Sequence, residues 1–338
     1  MIPYRFRNAL RKLCVTVLVI VLIAAIFLVF WLLWLNRYVI YTRDGVKLNF
    51  DLSLDFPEGQ LAVPPTPGAT IDIYYNEGEN VVLPETTELQ QLSGIYITGE
   101  MLAQDISGIR QQLKTLPAET PVMLDVKNIR GEFYYTTSSG RNAAAIDTAQ
   151  MDGLIRDLKT NHYLIAKLPA LRDYWYGLEN VDDGIFNPNR MSLWMDEERC
   201  YWLNPASDGT LTYLVQIAKE LRAMGFDEVV FDDFRIPATD AIYFEGDRDE
   251  ALNHTAASLV TICATDTFAV SFANNTETFL LPEGRSRLYL QNVAAADVGA
   301  AAERTGFADP DIRLVFLTNL KDTRYDAYGV LRPMDIAQ

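Results

Sequence analysis

The sequence predicts an α/β protein whose main domain is a (β/α)8 barrel of the TIM type. A single N-terminal transmembrane helix and a short β-rich stalk precede this domain. Three observations support the prediction: a long uncharged apolar run near the N-terminus, a proline-rich stretch after it, and a regular alternation of strand-like and helix-like segments from about residue 92.

The first element is the apolar run at residues 13–35, which contains 23 residues and no charge. With a helical rise of about 1.5 Å per residue it can cross a hydrocarbon core of about 30 Å. Basic residues precede the run and no acidic residue occurs before residue 38. The positive-inside bias therefore places residues 1–12 in the cytoplasm and the rest of the chain outside the plasma membrane.

A cleaved signal peptide is the alternative for this run. Its apolar core would span about 7–15 residues and would end at small side chains. The run in this chain is longer and ends in the sequence FWLLWL. We therefore expect an uncleaved signal anchor.

The second element, residues 36–91, is predicted to be an extracytoplasmic stalk. Residues 38–52 alternate apolar and polar side chains around Asp44-Gly45, which is a hairpin signal. Residues 56–70 are rich in proline and indicate a linker, and residues 71–75 indicate one more strand.

The third element is the barrel domain, residues 92–338. Strands are predicted at 94–98, 122–127, 163–168, 228–234, 268–273, 287–291, 312–318 and 328–331. Helices are predicted at 106–116, 149–160, 211–224, 250–263 and 293–305. Near-continuous apolar strands that alternate with helices indicate a parallel sheet covered by helices. Seven or eight such units fit a closed barrel better than an open doubly wound sheet.

Composition and charge exclude several classes of function. After residue 37 the chain carries 24 basic and 45 acidic side chains, so its surface repels nucleic acid. No glycine-rich nucleotide-binding motif is present. The two histidines, His162 and His254, are too few for a histidine-rich metal site or for most Ser/His and Cys/His nucleophiles. We predict no metal and no cofactor, and we expect Cys200 and Cys263 to be free thiols.

Polar side chains collect where the predicted strands end, which is where the chemistry of such barrels is found. The candidates are Asp125, Lys127, Lys167, Asp232, Asp233, Arg235, Asn274, Gln291 and Asn319. Carboxylates, amides and cations at one barrel end suit a ligand rich in hydroxyl groups. Three tryptophans in the long segment after the third strand, Trp175, Trp194 and Trp202, offer flat faces on which sugar rings stack.

Structural roles for some of these residues remain open. Asp125 and Lys127 could form a structural ion pair at the end of their strand. Asp232 and Asp233 are adjacent, so in a regular strand they would point to opposite faces. Each tryptophan could belong to the core.

Three segments together resemble the "putative glycoside-hydrolase domain" family, a group of TIM barrels. They are GIYITGEML followed by PVMLDVKNIRGEFYY, then YLIAKLPALRDYW, and then LWMDEERCYWLNPASDGTLTYLVQIAKELRAMGFDEVVFDDFRIP. The resemblance covers about residues 92–237 and implies the barrel fold and a carbohydrate-active ancestry. The positions that match the family pattern are Asp125, Lys127, Lys167, Trp194, Asp196, Asn204, Asp232 and Arg235. The family pattern continues with an acidic residue in the next strand and a Pro-Met-x-Tyr-Pro-type segment in the one after it. In this chain those strands read FAVSFANNT and SRLYLQNVA, with amides and no carboxylate at the matching place.

Two hypotheses follow. The first is a membrane-anchored glycosidase that acts on cell-envelope or extracellular polysaccharide, with Asp232 as nucleophile or base and a second carboxylate as acid. Asp125 is our first choice for the second group, and Asp196, Asp233 and Glu277 are the alternatives. The second hypothesis is a non-catalytic glycan-binding or scaffold protein of the envelope. A second carboxyl group within about 10 Å of Asp232 favours the enzyme.

Overall fold

The computed structural model describes residues 88–334 in full, together with the backbone of residues 39–42 and 45–48. The predicted anchor at 13–35, the linker at 56–70 and the strand at 71–75 lie outside the described residues. Among the helices within 88–334, none is long and apolar enough to cross a membrane.

A short antiparallel hairpin occurs where the stalk sequence predicts one. Its strands are Val39–Thr42 and Gly45–Leu48, with Val39 opposite Leu48 and Thr42 opposite Gly45. The hairpin and the barrel belong to different units of the chain.

The main domain is a closed barrel of eight parallel strands. The strands are β1 (Ser93–Ile97), β2 (Val122–Asp125), β3 (Leu164–Pro169), β4 (Glu228–Asp232), β5 (Ala269–Ala273), β6 (Leu288–Gln291), β7 (Leu314–Leu317) and β8 (Gly329–Pro333). Their order around the barrel is their order in sequence, and β8 closes the barrel by pairing with β1. Each predicted strand is confirmed to within two residues at either end.

Helices cover the outside of the barrel. They are α1 (Gly99–Leu113), α2 (Thr148–Leu158), α3 (Tyr174–Glu179), α4 (Asp208–Met224), α5 (Arg248–Cys263), α6 (Val298–Thr305) and α7 (Pro310–Arg313). All five predicted helices are present, whereas the two shortest, α3 and α7, had not been predicted. Helix α1 begins seven residues before the predicted start and is capped by Thr98, whose side chain accepts a hydrogen bond from Met101 N. It is kinked at Asp105, whose backbone is non-helical, so its second part begins at residue 106 as predicted.

The remaining elements are short. They are the 3-10 turns Val181–Asp183 and Thr323–Ala327 and the two-residue strands Glu132–Phe133, Arg141–Asn142, Phe186–Asn187 and Ser192–Leu193.

Strand alternation divides the core into two layers. One layer, inside the barrel, contains Leu92, Met123, Ile165, Val230, Ala273, Tyr289, Val315 and Leu331. The other lies between sheet and helices and includes Val229 and Phe231, the two neighbours of Val230 in β4. Because side chains alternate along a strand, Glu228 and Asp232 lie on the same inner face as Val230. Glu228 therefore faces the amino-terminal end of the barrel, and Asp232 faces the carboxyl-terminal end, which we call the barrel mouth.

A buried polar cluster fills the amino-terminal end of the barrel. Arg287 Nη1 lies 2.5 Å from Glu228 Oε2, and both side chains are almost fully buried. The hydroxyl groups of Tyr163 and Tyr289 also donate hydrogen bonds to the Glu228 carboxylate, at 3.0 and 2.9 Å. Arg287 donates in addition to the carbonyl of Gln90 at 2.8 Å. This cluster lies at the end of the barrel opposite the mouth, so we assign it to stability.

Both cysteines within residues 88–334 are free, as predicted. Cys263 is packed in the layer between sheet and helices. Cys200 is also buried, and its thiol donates to the carbonyl of Ile129. Burial raises the pKa of the Cys200 thiol to about 12, so it is protonated at neutral pH.

Candidate active site

The barrel mouth holds two carboxylates on either side of one ammonium group. Lys167 Nζ lies 3.0 Å from Asp125 Oδ1 and 3.2 Å from Asp232 Oδ2. Asp125 and Asp232 end the strands β2 and β4, and Lys167 lies two residues before the end of β3 between them. Asp125 is the direct register partner of Lys167. Because both oxygens contact the same nitrogen, they lie no more than about 6 Å apart. A second carboxyl group therefore lies within the distance of about 10 Å from Asp232 that favours the enzyme.

Charge dominates the environment of Lys167. Burial by itself would lower the pKa of its ammonium group, but the negative charges of Asp125 and Asp232 outweigh burial and raise the pKa well above its usual value. Lys167 is therefore charged at neutral pH and contacts a carboxyl oxygen of each aspartate.

We expect Lys167→Met to lower the free energy of unfolding by about 2 kcal/mol at pH 7, because it leaves two half-buried carboxylates facing each other. Their mutual repulsion raises the pKa of one of them above its unfolded value. The variant is therefore more stable when that group is protonated, and it loses stability as the pH rises. Urea unfolding of wild type and variant at pH 4 and pH 7 measures this difference.

The double variant K167M/D125N is the control, because it removes the repulsion as well as the cation. We expect it to recover much of the lost stability at pH 7. A loss that is equal at both pH values and is not recovered in the double variant would show that packing of the lysine stem, and not its charge, matters.

Asp125 is oriented by the start of helix α1. Its Oδ2 accepts a hydrogen bond of 3.0 Å from the backbone N–H of Gly99, in the first turn of that helix. The ring of Tyr134 packs directly on this turn, since a Cβ at Gly99 would lie 2.5 Å from the tyrosine hydroxyl. A side chain at position 99 would therefore push Tyr134 away from Asp125.

Two tyrosines near Asp125 had not been predicted as site residues. Burial raises the pKa of both Tyr96 and Tyr134, the latter to about 12, and the charge of Asp125 adds to the effect. Tyr96 could have been found from strand alternation, because it stands between Ile95 and Ile97 and so faces the barrel interior. Tyr134 lies in the loop between β2 and α2 and not in a barrel strand, so strand alternation could not have predicted its position.

Asp232 is held by three groups. Its Oδ1 accepts hydrogen bonds from Gln291 Nε2 at 2.9 Å and from the backbone N–H of Asp233 at 2.8 Å, while its Oδ2 contacts Lys167. Gln291 is in turn clamped by Asn275, which donates to its carbonyl at 2.6 Å and accepts from its N–H at 3.1 Å. The orientation of Asp232 is thus set from strands β3 and β6 as well as from its own strand.

Asp233 lies beside Asp232 at the mouth, and not on the opposite face. Strand β4 ends at Asp232, and Asp233 has a φ of +47°, in the left-handed region. Side chains alternate between the two faces only within the strand. Because Asp233 follows the last strand residue, the alternation does not place it on the face opposite Asp232. Asp233 Oδ2 lies 3.9 Å from Arg172 Nη1, and its Oδ1 lies 3.9 Å from Arg235 Nη2.

Arg172, which had not been predicted, connects this pair to Asp196. Its Nη2 lies 2.6 Å from Asp196 Oδ2, which also accepts a 3.0 Å hydrogen bond from the indole of Trp202. These bonds fix both aromatic ring and guanidinium. Asp196 thus positions Arg172 and Trp202. We therefore do not assign it as the second catalytic carboxylate.

The tryptophans are placed differently from what stacking on a sugar would require. Trp202 is 3% exposed, and Arg235 lies over its ring with the guanidinium carbon 4.9 Å from the centroid. The guanidinium of Arg141 covers Trp175 in the same way, at 4.0 Å. Trp194 is half-buried and packs against Trp202, with ring centroids 6.3 Å apart. Beside Trp202, the group that faces solvent is the side chain of Arg235, which is 52% exposed.

Several other predicted site residues do not join the cluster. Lys127 is buried and pairs with Asp173 at 2.8 Å, so the proposed Asp125–Lys127 ion pair is wrong. The physical reason is that β2 ends at Asp125, and the chain beyond it turns away from the barrel interior. Glu277, one alternative for the second carboxylate, is exposed and pairs with Arg304 at 2.7 Å.

The three remaining amides also have structural environments. Asn274 is buried and donates to the carbonyl of Phe234 at 2.8 Å. Asn204 accepts from Ala206 N at 3.0 Å and closes a local turn. Asn319 is exposed in the loop after β7. Of the predicted amides, therefore, only Gln291 contacts a candidate catalytic group.

No group of three or more His, Cys, Asp or Glu side chains within residues 88–334 is arranged to hold a metal ion.

Residues 94–273, just over half of the chain, match the sequence family described as "putative glycosyl hydrolase domain". The chain belongs to this family. The matched segment runs from β1 to β5 and so includes Asp125, Lys167 and Asp232. Gln291 lies outside it. No curated protein is similar enough in sequence to count as a relative.

The chain also matches parts of several solved structures. A hypothetical protein from Ruminiclostridium thermocellum is 20% identical, with 52% of this chain and 96% of that chain covered and a TM-score of 0.45. A GH20 exo-β-N-acetylglucosaminidase from Vibrio harveyi is 7% identical, with 67% and 41% covered and a TM-score of 0.49. A GH36 α-galactosidase from Geobacillus stearothermophilus is 11% identical, with 72% and 39% covered and a TM-score of 0.49. This chain thus spans about two-fifths of the length of the two enzymes.

In this member of the glycosyl hydrolase domain family, the mouth combines two carboxyl groups that share a cation, and a third carboxyl group beside them. Such a set can stabilise positive charge on a sugar ring and can attack it, either directly or through water. These groups lie at the end of the barrel where the fold concentrates functional residues.

Proposed function

We propose that this protein is a membrane-anchored, extracytoplasmic glycoside hydrolase that acts on cell-envelope or extracellular polysaccharide. The observation that carries the proposal is the pair Asp125 and Asp232, held on either side of Lys167 at the barrel mouth. Membership of the glycosyl hydrolase domain family supports the same conclusion.

Asp232 is the nucleophile or the base of the proposed reaction. The cation of Lys167 and the amide of Gln291 hold its carboxylate in a single orientation, which is the preorganisation that transition-state stabilisation requires. Asp125 supplies a second negative charge close to the sugar ring, where the transition state develops positive charge. The exposed guanidinium of Arg235 is available to bind substrate oxygens.

The proposal is tested with full-length protein purified in detergent and incubated with a panel of envelope and extracellular glycans. The expected result is the appearance of new reducing ends, and their absence with the Asp232→Asn variant. A wild-type protein that releases no reducing ends from any member of the panel would refute hydrolase activity on these glycans.

The membrane anchor is a separate part of the proposal, and it is supported by the uncharged run at 13–35 and its basic flank. Protease added to intact cells is expected to remove the barrel domain. A domain that is protected in intact cells but degraded after lysis would contradict the extracytoplasmic location.

One observation favours a second candidate function, a glycan-binding protein without turnover. Every carboxyl oxygen of Asp125 and Asp232 already has at least one contact within the protein, to Lys167, Gly99 N, Gln291 or Asp233 N. These contacts hold the two side chains in place and compete with substrate for their oxygens. Glycan that binds to the wild type with no release of reducing ends would favour this second function.

A further inference from the structure

The three carboxyl groups at the mouth differ in how they are bound. Asp125 and Asp232 each contact Lys167 and each accept a backbone N–H. Among residues 88–334, no group donates a hydrogen bond of 3.5 Å or less to the carboxyl of Asp233. Its nearest cations, Arg172 and Arg235, are 3.9 Å away. The first two carboxyl groups thus accept close hydrogen bonds, whereas the carboxyl of Asp233 has only the two longer contacts with arginine.

The backbone at Asp233 leaves the strand conformation. Its φ of +47° is in the left-handed region, which aspartate and asparagine enter more readily than other non-glycine residues. This conformation places the carboxyl of Asp233 next to Asp232 at the mouth.

From this geometry we infer that Asp233 is the proton donor of the reaction. The inference rests on the proposed hydrolase function. When the glycosidic C–O bond breaks, its electron pair stays on the leaving oxygen, which takes the proton of Asp233. The new bond to the anomeric carbon comes from Asp232, or from a water that Asp232 deprotonates. Asp233 is left as a carboxylate.

The protonation behaviour of Asp233 supports this role. Burial raises the pKa of its carboxyl, and the neighbouring charge of Asp232 raises it further. The positive charges of Arg172, Arg235 and Lys167 act in the opposite direction without cancelling the rise. Neighbouring groups whose surroundings favour different protonation states are the usual basis for assigning an acid and a base.

The test compares Asp233→Asn with wild type on two substrates of the sugar that the reducing-end assay identifies. One is a methyl glycoside, whose leaving group needs a proton, and the other is a 2,4-dinitrophenyl glycoside, whose leaving group does not. We expect kcat/KM to fall by about 10²–10⁴-fold on the methyl glycoside and by less than about tenfold on the dinitrophenyl glycoside. The alkaline limb of the pH profile should disappear in the variant. Asparagine tolerates the left-handed conformation, so this variant is expected to fold.

Asp125→Asn and Asp182→Asn are the controls. Asp125→Asn should lower the activity on both substrates to a similar degree, because its charge acts on the ring and not on the leaving group. Asp182, which is exposed in a 3-10 turn, should have no effect on either. Equal losses on the two substrates for Asp233→Asn, or no loss on either, would overturn the assignment.

A second measurement does not depend on turnover. Carboxyl ¹³C resonances of labelled aspartates in the full-length protein should show Asp233 titrating above 3.8, the ordinary value for this group. Titration at or below that value would overturn the proposal. A wild type that cleaves no glycan defeats the hydrolase function and this role together, whereas an active wild type with an unaffected Asp233→Asn variant defeats this role alone.

Discussion

Asp232→Asn is expected to abolish glycan hydrolysis and to leave the barrel folded. The variant removes the charge that attacks the anomeric carbon or activates water, so we expect kcat/KM to fall at least ~10³-fold, which is about 4 kcal/mol of transition-state stabilisation. Glycan binding should persist, because the rest of the mouth is unchanged. The measurements are reducing-end release, equilibrium binding of the same glycan and thermal unfolding.

The melting temperature of this variant separates a catalytic role from a structural one. Lys167 keeps its contact with Asp125, and active-site charge is commonly held at a cost to stability, so we expect little change or a small rise. Asp182→Asn is the matched control for loss of one negative charge. A large drop in melting temperature, without an effect on turnover, would make Asp232 a structural residue and favour the glycan-binding function.

Arg287→Met is expected to cause the largest loss of stability among these changes. It removes the partner of Glu228 from the sealed end of the barrel, where both side chains are almost fully buried. Breaking a buried ion pair from one side costs about 3–5 kcal/mol, because the remaining charge has no water to solvate it. Denaturant unfolding at pH 7 measures the effect, and the mouth, at the opposite end of the barrel, should keep its activity per folded molecule.

The pH dependence of this variant identifies the cause. Without Arg287, burial raises the pKa of Glu228 above its unfolded value, so the variant is stabilised while Glu228 is protonated and loses stability as the pH rises. The double variant E228Q/R287M should recover part of the loss at pH 7. Arg304→Met, which breaks an exposed pair with Glu277, should change stability by only about 0–1 kcal/mol. Equal losses for Arg287 and Arg304 would contradict the argument.

Local patterns were sufficient to predict the barrel. Apolar runs such as Val229-Val230-Phe231 are nearly continuous because the strand is buried on both faces, and helix α4 shows a clean helical period. Gly225, whose φ is +99°, closes that helix as the sequence indicates. The helical segment before residue 106, which Thr98 caps and a kink at Asp105 separates from the rest of α1, was not predicted from its residue pattern.

Several residues of the site were predicted from the sequence, but the ion pairs that they form with one another were not. Parallel strands bring their carboxyl ends together, so Asp125, Lys167 and Asp232 could be placed at one end of the barrel from sequence order. Lys127 was assigned to the same site, yet it is buried against Asp173. The difference arises because strand alternation applies only up to the last paired residue, and a sequence does not show which residue that is.

The sequence by itself determined the fold class, the end of the barrel that carries the site and most of the charged residues there, because these follow from periodicity and strand order. Only the tertiary structure decided that Lys167 bridges Asp125 and Asp232, that Arg235 covers the ring of Trp202, and that the left-handed backbone of Asp233 brings a third carboxyl to the mouth. Those contacts join residues far apart in the chain or depend on a single backbone angle. The strength of each contact depends on the distance between two groups, and a local pattern of residue types does not determine that distance.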